Sequence, residues 1–276
     1  MTNNIIWNIF ADQEHNIWLG TDYGISLSRY NSALQFIPIS QITGTGDGNQ
    51  FYSLFRDSKG FYWFGGANGL IRFTDPAGER HDAIWYRMGD KTYPLSHNRI
   101  RHIYEDKEQQ LWIATDGSIN RYDYATRQFI HYNIVDNTGT YNTNWTYYIF
   151  EDTAGQLWIS TCLGGIFVVD KRKLMQSTSG QYIAEQNYSV HNGLSGMFIN
   201  QIIPDNEGNV WVLLYNNKGI DKINPRTREV TKLFADELTG EKSPNYLLCD
   251  EDGLLWVGFH GGVMRINPKR REPAEY

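Results

Sequence analysis

The stretch that decides the fold is Asp57–Leu70, which reads Asp-Ser-Lys-Gly-Phe-Tyr-Trp-Phe-Gly-Gly-Ala-Asn-Gly-Leu. Six copies of this pattern run through the 276 residues, and in each copy an aspartate stands six residues before a tryptophan. The pairs are Asp12 and Trp18, Asp57 and Trp63, Asp106 and Trp112, Asp152 and Trp158, Asp205 and Trp211, and Asp250 and Trp256. Successive tryptophans are 45 to 53 residues apart. A period of this size is typical of propellers and other repeat folds.

Each copy carries the pattern of several short strands. Ile or Leu stands three residues before the aspartate and another apolar residue follows it, which predicts a strand covered on both faces. A tight turn comes next, then the tryptophan strand, small residues that permit close sheet packing, a glycine turn and a third strand. Five copies continue into a fourth, outer strand. We therefore predict an all-β fold, a β-propeller of four-stranded antiparallel blades.

The predicted blades cover residues 4–40, 50–88, 98–133, 145–190, 198–234 and 245–276. No fourth strand is recognisable after Asn267, so we predict that the last blade is incomplete. Six motifs with an incomplete last blade fit either a weakly closed six-bladed ring or most of a seven-bladed ring, and we favour the second. Because the repeats run end to end, we expect residues 1–276 to form a single propeller domain, and we expect this domain to be a fragment of a larger protein.

Two local departures carry predictions of their own. His15 and Gln109 replace the turn glycine of the first and third copies, so we expect those turns to be strained or differently shaped. The fourth copy has an insertion, 171–181, that opens with Lys171-Arg172-Lys173. We expect this charge cluster to be a solvated turn.

Composition excludes several classes of function. The net charge of −6 disfavours a nucleic-acid partner. The two cysteines, Cys162 and Cys249, are predicted to be buried free thiols, although their spacing does not settle the disulfide state. We find no spacing typical of a metal site and predict no metal and no cofactor. No signal peptide or membrane-spanning run is evident.

Strand alternation divides the loops between two ends of the blades. The aspartate turns lie at one end, and the turns after the tryptophan strands share the other end with the connections between blades. These connections vary, and variable loops on a rigid scaffold are where specificity is usually built. The candidate ligand-binding residues at this end are Asp22, Tyr23, Asn68, Asp116, Tyr215, Asn216 and His260, with Asn217, Tyr93, His97, Tyr141, His191 and Asn192 as further polar groups.

Four copies place an asparagine eight residues before the aspartate. These residues are Asn4, Asn49, Asn98 and Asn144. They could contact a ligand at the channel entrance or cap the backbone at strand starts, and capping is the favoured interpretation. The repeated aspartates and tryptophans are assigned a structural role, because a binding residue usually occurs in one copy only.

The repeat resembles the two-component regulator propeller family. The family pattern Asp-x-x-Gly-x-x-Trp-x-Gly-Thr-x-x-Gly-Leu-x-Arg-Tyr is matched by 12–30, 57–73 and 106–122, and 94–98 and 191–195 are similar to its inter-blade segments. The fifth and sixth copies depart from it, since Leu213-Leu214-Tyr215 and Phe259 replace the small Gly-Thr element.

The resemblance implies the periplasmic sensor region of a Bacteroides-type hybrid two-component system. It implies an oligosaccharide ligand, adjacent sensor domains of the same protein, a homodimer, and attachment to the inner membrane through a segment outside this sequence. Ligand binding would then control a histidine kinase and the transcription of polysaccharide-utilisation genes. The repeat motif fixes no catalytic or binding residue.

Two other functions stay open. One is a protein-docking or dimerisation propeller without a ligand of its own. The other, less favoured, is a propeller lyase or glycoside hydrolase, which would need two carboxylates about 5–10 Å apart in a cleft. Asp22 and Asp116 lie in different blades without an evident partner, so we predict no catalytic residue and no enzyme activity for this chain.

Overall fold

The structure is a computed structural model that describes residues 5–29, 34–38, 50–74, 82–92, 94–178, 180–215, 219–234, 238, 243–268 and 272–275. The chain divides into a first unit, Met1–Tyr132, and a second unit, Asn133–Tyr276. Across the described ranges each unit contains three four-stranded antiparallel sheets, in which the strands follow one another in chain order. This arrangement confirms the predicted all-β fold of four-stranded propeller blades with six blade motifs. The seven-bladed ring and the single domain remain predictions.

The first unit holds blades 1 to 3. Blade 1 consists of β1 Ile6–Ala11, β2 Ile17–Thr21, β3 Gly24–Ser28 and β4 Leu34–Pro38; blade 2 of β5 Phe51–Arg56, β6 Tyr62–Gly66, β7 Gly69–Phe73 and β8 Ile84–Tyr86; and blade 3 of β9 Ile100–Glu105, β10 Leu111–Thr115, β11 Ser118–Asp123 and β12 Gln128–Tyr132.

The second unit begins with a short parallel pair, β13 Ile134–Val135 and β17 Tyr182–Ile183, and then holds blades 4 to 6. Blade 4 consists of β14 Thr146–Glu151, β15 Gln156–Thr161, β16 Ile166–Asp170 and β18 Gln186–Tyr188; blade 5 of β19 Ile199–Pro204, β20 Val210–Leu214, β21 Ile220–Ile223 and β22 Val230–Leu233; and blade 6 of β23 Pro244–Cys249, β24 Leu255–Phe259, β25 Gly262–Asn267 and β26 Glu272–Glu275.

The sixth blade corrects one prediction. We expected no fourth strand there, but β26 pairs with β25 in an antiparallel register from Asn267 opposite Glu272 to Met264 opposite Glu275. The segment Glu-Pro-Ala-Glu lacks the apolar alternation by which the other strands were recognised. A proline and charged residues are tolerated on an edge strand, whose outer side makes no ladder hydrogen bonds.

The insertion in blade 4 corrects a second prediction. Its first residues form a short helix, α1 Lys171–Gln176, whose N-cap Asp170 accepts a hydrogen bond from the backbone N–H of Lys173. Lys171 is buried rather than solvated, and its Nζ lies 2.8 Å from Glu151 Oε1. The sequence predicted that this charge cluster is a solvated turn. In the structure, one member of the cluster, Lys171, forms an internal ion pair.

Close packing between neighbouring blades explains the small residues that follow the tryptophan in most copies. A Cβ added at Gly65 would lie 2.4 Å from Ile100 Cγ2, and one added at Gly20 would lie 2.8 Å from the carbonyl oxygen of Phe51. These glycines let one sheet approach the next within the first unit. In the second unit, blades 5 and 6 are joined by Gln201, whose amide accepts from the backbone N–H of Leu247 and donates to the carbonyl of the same residue.

The first strand of every blade departs from regular antiparallel pairing near its N-terminal end. The register shifts lie at Ile6/Asn8, Phe51/Ser53, Thr146/Tyr148, Ile199/Gln201 and Pro244/Tyr246 in the first strands, and opposite Ala114/Thr115 in blade 3. All six shifts are at the end of the blade opposite the aspartate turn. Bulges bend a strand and redirect its side chains, so this end of each blade is locally less regular than the other.

The cysteines are free, with Cys162 buried and Cys249 half-buried. Burial is the main cause of the raised pKa of the Cys249 thiol, with the nearby Asp205 carboxylate adding to it. None of the helices in the described part of the chain has the length and apolar character needed to cross a membrane.

Candidate functional site

The two ends of the blades, considered within each unit, have different chemistry. We call the end with the six Asp-containing turns the Asp-turn end. We call the opposite end the variable end; it contains the turns between the second and third strands and the connections between blades.

The Asp-turn end is built from one repeated hydrogen-bonded unit. In every blade the tryptophan Nε1–H donates to the Oδ2 atom of the aspartate six residues before it, at 2.6 to 3.0 Å. The other carboxylate oxygen of Asp57 accepts from the backbone N–H groups of Lys59 and Phe61, and the equivalent oxygens of the other aspartates do the same in their turns. The aspartate therefore ties the turn to the strand that follows.

This unit tolerates the two predicted departures from glycine. His15 and Gln109 adopt φ of 62° and 61°, and their backbone N–H groups still donate to the carbonyls of Asp12 and Asp106. The turns are therefore strained, as predicted, but they keep the shape of the glycine turns. A left-handed conformation costs a residue with a Cβ roughly 1–2 kcal/mol.

The electrostatics of the Asp-turn end follow from these hydrogen bonds. Burial acts to raise the pKa of Asp12, but the hydrogen bonds from Trp18, Asn16 and Tyr62 outweigh it, and the pKa lies below its ordinary value. Burial, with the Asp12 charge as the next cause, raises the pKa of Tyr62 to about 12. The Asp12 carboxylate is thus an acceptor that holds its turn, and its ionised form is the one that the fold stabilises.

At the variable end of the first unit, most of the predicted ligand residues already have protein partners. Asp22 accepts a 2.6 Å hydrogen bond from Trp7 Nε1, and the backbone carbonyl of Asn68 accepts one from Arg87. Asp116, whose side chain is only 7% exposed, is bound by Arg101 through Nε at 2.7 Å and Nη2 at 3.1 Å. Thus Asp116 has the partner that the sequence did not reveal, and its role in the structure is an ion pair.

Of the remaining predicted residues, some are exposed, one has a protein partner, and several lie outside the described residues. Tyr23 is 70% exposed at the tip of the blade 1 turn, and His260 is exposed in blade 6. Asn216 lies outside the described residues, as do Asn217, Tyr93, Asn4 and Asn49. Asn98 accepts a hydrogen bond from the backbone N–H of Met88, in the connection that precedes its blade, and capping by the asparagine set stays a prediction.

Tyr215 is the predicted residue around which the second unit assembles a surface. Its ring stacks on Phe198 at 4.5 Å with an interplanar angle of 25°, and Phe198 meets Tyr147 edge-on at 5.3 Å. The backbone N–H of Tyr215 donates to the carbonyl of Phe198, which fixes the two residues side by side. We call Tyr147, Phe198 and Tyr215 the aromatic row; Tyr215 is 54% exposed and the other two rings are half-buried.

Sequence reasoning missed several residues at this end. Phe198 directly precedes the first strand of blade 5, and Tyr147 lies near the start of the first strand of blade 4. Trp145 and Leu163 expose 49% and 65% of their surface. Trp145 is a tryptophan outside the repeat, and that was the available signal. Within the described ranges no group of three or more His, Cys, Asp or Glu residues is arranged to hold a metal ion.

Comparison with known proteins relates the chain to a family. The sequence matches the two-component regulator propeller family over residues 1–23, 45–68 and 94–117. No curated protein matches it significantly.

Solved structures extend the comparison. An extracellular domain from B. thetaiotaomicron, assigned to the hybrid two-component system BT4673, is 97% identical with a TM-score of 0.86, and the match covers 100% of this chain and 37% of that one. The extracellular domain assigned to BT3049 of the same organism is 19% identical with a TM-score of 0.74, covering 100% and 34% of the two chains. Virginiamycin B lyase from Staphylococcus aureus is 17% identical with a TM-score of 0.71, covering 98% and 83%.

The two more distant likenesses show the fold alone. The near-identical structure is an extracellular domain, which agrees with the predicted periplasmic location, and the chain spans about a third of its length. Three segments of the chain therefore match two-component regulator propeller repeats, and the whole chain is similar to part of an extracellular domain assigned to a Bacteroides hybrid two-component system.

Proposed function

We propose that this chain is a non-catalytic sensor module that binds an oligosaccharide at the variable end of the second unit. In this proposal, binding outside the membrane is relayed to a histidine kinase and controls the transcription of polysaccharide-utilisation genes. The observation that carries the proposal is the aromatic row, in which Tyr215 is more than half exposed and held by Phe198.

The aromatic row suits a sugar for a physical reason. One face of a pyranose ring carries several C–H groups that pack on an aromatic face, while the hydroxyl groups at the ring edge need hydrogen-bonding partners. Tyr215 presents a ring and a hydroxyl group, and its orientation is fixed before a ligand arrives. A rigid aromatic group loses little conformational entropy on binding.

A docking role is the second candidate, and the surface of blade 1 favours it. Ile9 is 64% exposed, whereas the residue at the same repeat position in blade 2, Leu54, is 4% exposed beneath the neighbouring sheet. Trp7 is likewise 49% exposed. An apolar blade surface of this kind favours contact with an adjacent domain of the same protein or with a second protomer.

A lyase or hydrolase activity has less support. Of the two carboxylates considered from the sequence, Asp116 is held by Arg101, and Asp22 is bound by Trp7. The likeness to virginiamycin B lyase, at 17% identity, concerns the fold and transfers no residue role.

Thermal unfolding with a panel of plant, host and microbial oligosaccharides tests the proposal. A ligand that binds only the folded state raises the melting temperature by mass action. We expect one class of oligosaccharide to raise it, and we expect Tyr215→Ala to abolish that shift. Tyr23→Ala is the matched control, because Tyr23 occupies the corresponding turn of blade 1 and is 70% exposed.

A shift that survives in Tyr215→Ala would contradict the aromatic row as the binding surface. The absence of a shift with every oligosaccharide would contradict the receptor role and favour docking.

A further inference from the structure

Two adjacent pockets lie at the variable end of blade 4, and their lining includes Tyr141, His191 and Asn192, which the sequence analysis named as further polar groups. The larger has a volume of about 510 Å³ and the smaller of about 330 Å³. Both are lined by Thr140 and Tyr141, so they adjoin at these two residues, and together they are named here the blade 4 groove. The larger pocket adds His191 and Asn192, and the smaller adds Trp145 and Leu163.

One wall of the groove is a connection folded around Asp136. The Asp136 carboxylate accepts from the backbone N–H groups of Tyr141 at 2.8 Å and Thr138 at 3.3 Å, and from the Thr138 hydroxyl. The pairing of Ile134–Val135 with Tyr182–Ile183 anchors the base of this connection. The loop is thus held by several hydrogen bonds, although it belongs to the part of the repeat that varies.

The opposite wall is the connection that follows β18. Ser189 and Asn192 form a capping box around the 3₁₀ helix Val190–Asn192, in which the Asn192 side chain accepts from the Ser189 backbone N–H at 2.6 Å. His191 projects from this turn, and its Nε2 lies 3.5 Å from the Tyr141 hydroxyl across the groove. Both walls are fixed by their own hydrogen bonds, so the groove is formed in the absence of a ligand.

Trp145 marks the smaller pocket as more than a gap between loops. It has a φ of 55°, in the left-handed region that bulky side chains rarely adopt. The backbone is secured there by a hydrogen bond from the Cys162 N–H to the Trp145 carbonyl. The result is a tryptophan that is 49% exposed beside Leu163, which is 65% exposed. Strained residues that expose a large apolar ring cluster at ligand sites.

The charge of the lining restricts the ligand. The residues that line the two pockets include no Lys or Arg, and they include the carboxylates Asp136 and Glu185. Glu185 accepts hydrogen bonds from Tyr182 and from the backbone N–H of Asp170, and Lys173 Nζ lies 3.5 Å from it. Burial acts to raise the pKa of Asp136, but its hydrogen bonds lower it overall, so this carboxylate is charged at neutral pH. A carboxylate or sulfate on a sugar would meet no Lys or Arg in the lining and would face the charged Asp136 carboxylate.

We infer that the blade 4 groove is a binding site for a neutral oligosaccharide, with Trp145 stacking on one sugar ring and Tyr141 and His191 hydrogen-bonding the hydroxyl groups of the next. This inference rests on the proposed receptor function and adds to the aromatic row a second binding surface at the same end of the unit, together with the charge class of the ligand. The two pockets of the groove correspond to two neighbouring sugar positions.

Calorimetric titration of the protein tests the inference. The probes are neutral plant oligosaccharides and uronic-acid oligosaccharides of the same length. We expect binding of a neutral series, at least tenfold weaker binding in Trp145→Ala, a few-fold loss in Tyr141→Phe, and no change in Phe36→Ala, which removes an exposed ring of blade 1. Trp145→Gly separates binding from folding, because it removes the ring and relieves the positive φ; it should unfold no earlier than the parent protein and still lose binding.

The outcomes distinguish the two proposals. Neutral binding that Tyr215→Ala weakens but the groove variants leave unchanged would overturn the groove and keep the receptor function. Tighter binding of the uronic-acid series would overturn the charge class. Failure of both series to bind would overturn the inference together with the function on which it rests.

Discussion

The Asp-turn end and the variable end of the blades are made by the same strands but follow different rules. At the Asp-turn end, the tryptophan indole of each of the six blades donates to the aspartate carboxylate at the equivalent position of its own repeat. At the variable end the corresponding turns carry Asp22 in one blade, Asp116 in another and Tyr215 in a third, each with different partners. Side chains that recur in every blade therefore hold the fold, and the side chains that occur in one blade only are the candidates for function.

The largest expected effect comes from breaking the repeated unit. Asp57→Ala removes the acceptor for Trp63 Nε1, the Tyr124 hydroxyl and two backbone N–H groups. Two of these donors would be left buried, so the free energy of unfolding should fall by about 4 kcal/mol. Urea denaturation measures this change. Tyr23→Ala at the variable end should change it by less than about 0.5 kcal/mol; a similar loss in both variants would contradict the division between the ends.

The next effect concerns the element at the Asp-turn end that does not repeat. Helix α1 occurs only in blade 4 among the described blades, and Lys171 forms a buried ion pair with Glu151. Lys171→Met leaves the carboxylate buried beside an uncharged side chain, and should cost about 3 kcal/mol. The double variant with Glu151→Leu should recover most of that loss. If the double variant is as unstable as the single one, the ion pair is not what the charge cluster contributes.

A smaller effect on stability is expected from the hydrogen bonds that hold two of the inter-blade loops at the variable end. In blade 3, Asn120 accepts from the Ser96 N–H and donates to the Ser96 hydroxyl; in blade 5, Asp221 accepts from both the N–H and the hydroxyl of Ser195. Burial raises the pKa of Asp221, so its ionised form is disfavoured in the folded state. The contribution of Asp221 to the stability of the fold is therefore complete below the ordinary pKa of an aspartate. It is lost as the pH rises through the raised pKa of the folded state.

Asp221→Asn removes the charge in blade 5 and should give the neutral hydrogen-bond arrangement that Asn120 makes in blade 3. We expect a melting temperature roughly 3 °C higher than the parent at pH 7, with the difference shrinking as the pH falls toward 4. Scanning calorimetry at several pH values checks this. A difference that grows on acidification would show that the Asp221 charge stabilises the fold.

The smallest effect concerns strain inside the repeat. Gln109→Gly supplies the residue that other copies use at φ near +80° and should raise the melting temperature by roughly 1–2 °C. Gly208→Gln, in the equivalent turn of blade 5, should lower it by a comparable amount. Opposite signs in the two variants are the expected result; destabilisation by both would mean that Gln109 has a contact worth more than its strain.

The fold could be predicted because the period of Asp and Trp fixes where every turn and inner strand must lie. The outer strand of blade 6 could not, since Glu272–Glu275 is an edge strand whose pairing is decided by its backbone rather than by apolar side chains. The buried ion pair of Lys171 was missed because a basic cluster gives no sign of a partner twenty residues earlier in the chain. Of the candidate site, the sequence analysis named Tyr215 and the groove residues Tyr141, His191 and Asn192. It missed the apolar rings of Phe198 and Trp145, because the search at this end was for polar groups.

The central claim is that ligand recognition belongs to the variable end of the second unit and fold maintenance to the Asp-turn end. Hydrogen–deuterium exchange of the protein with and without a bound oligosaccharide tests it most directly. We expect ligand-induced protection in 134–145, 186–200 and 213–215, with unchanged exchange in the six Asp-containing turns. Protection concentrated in those turns, with none in the three segments, would contradict it.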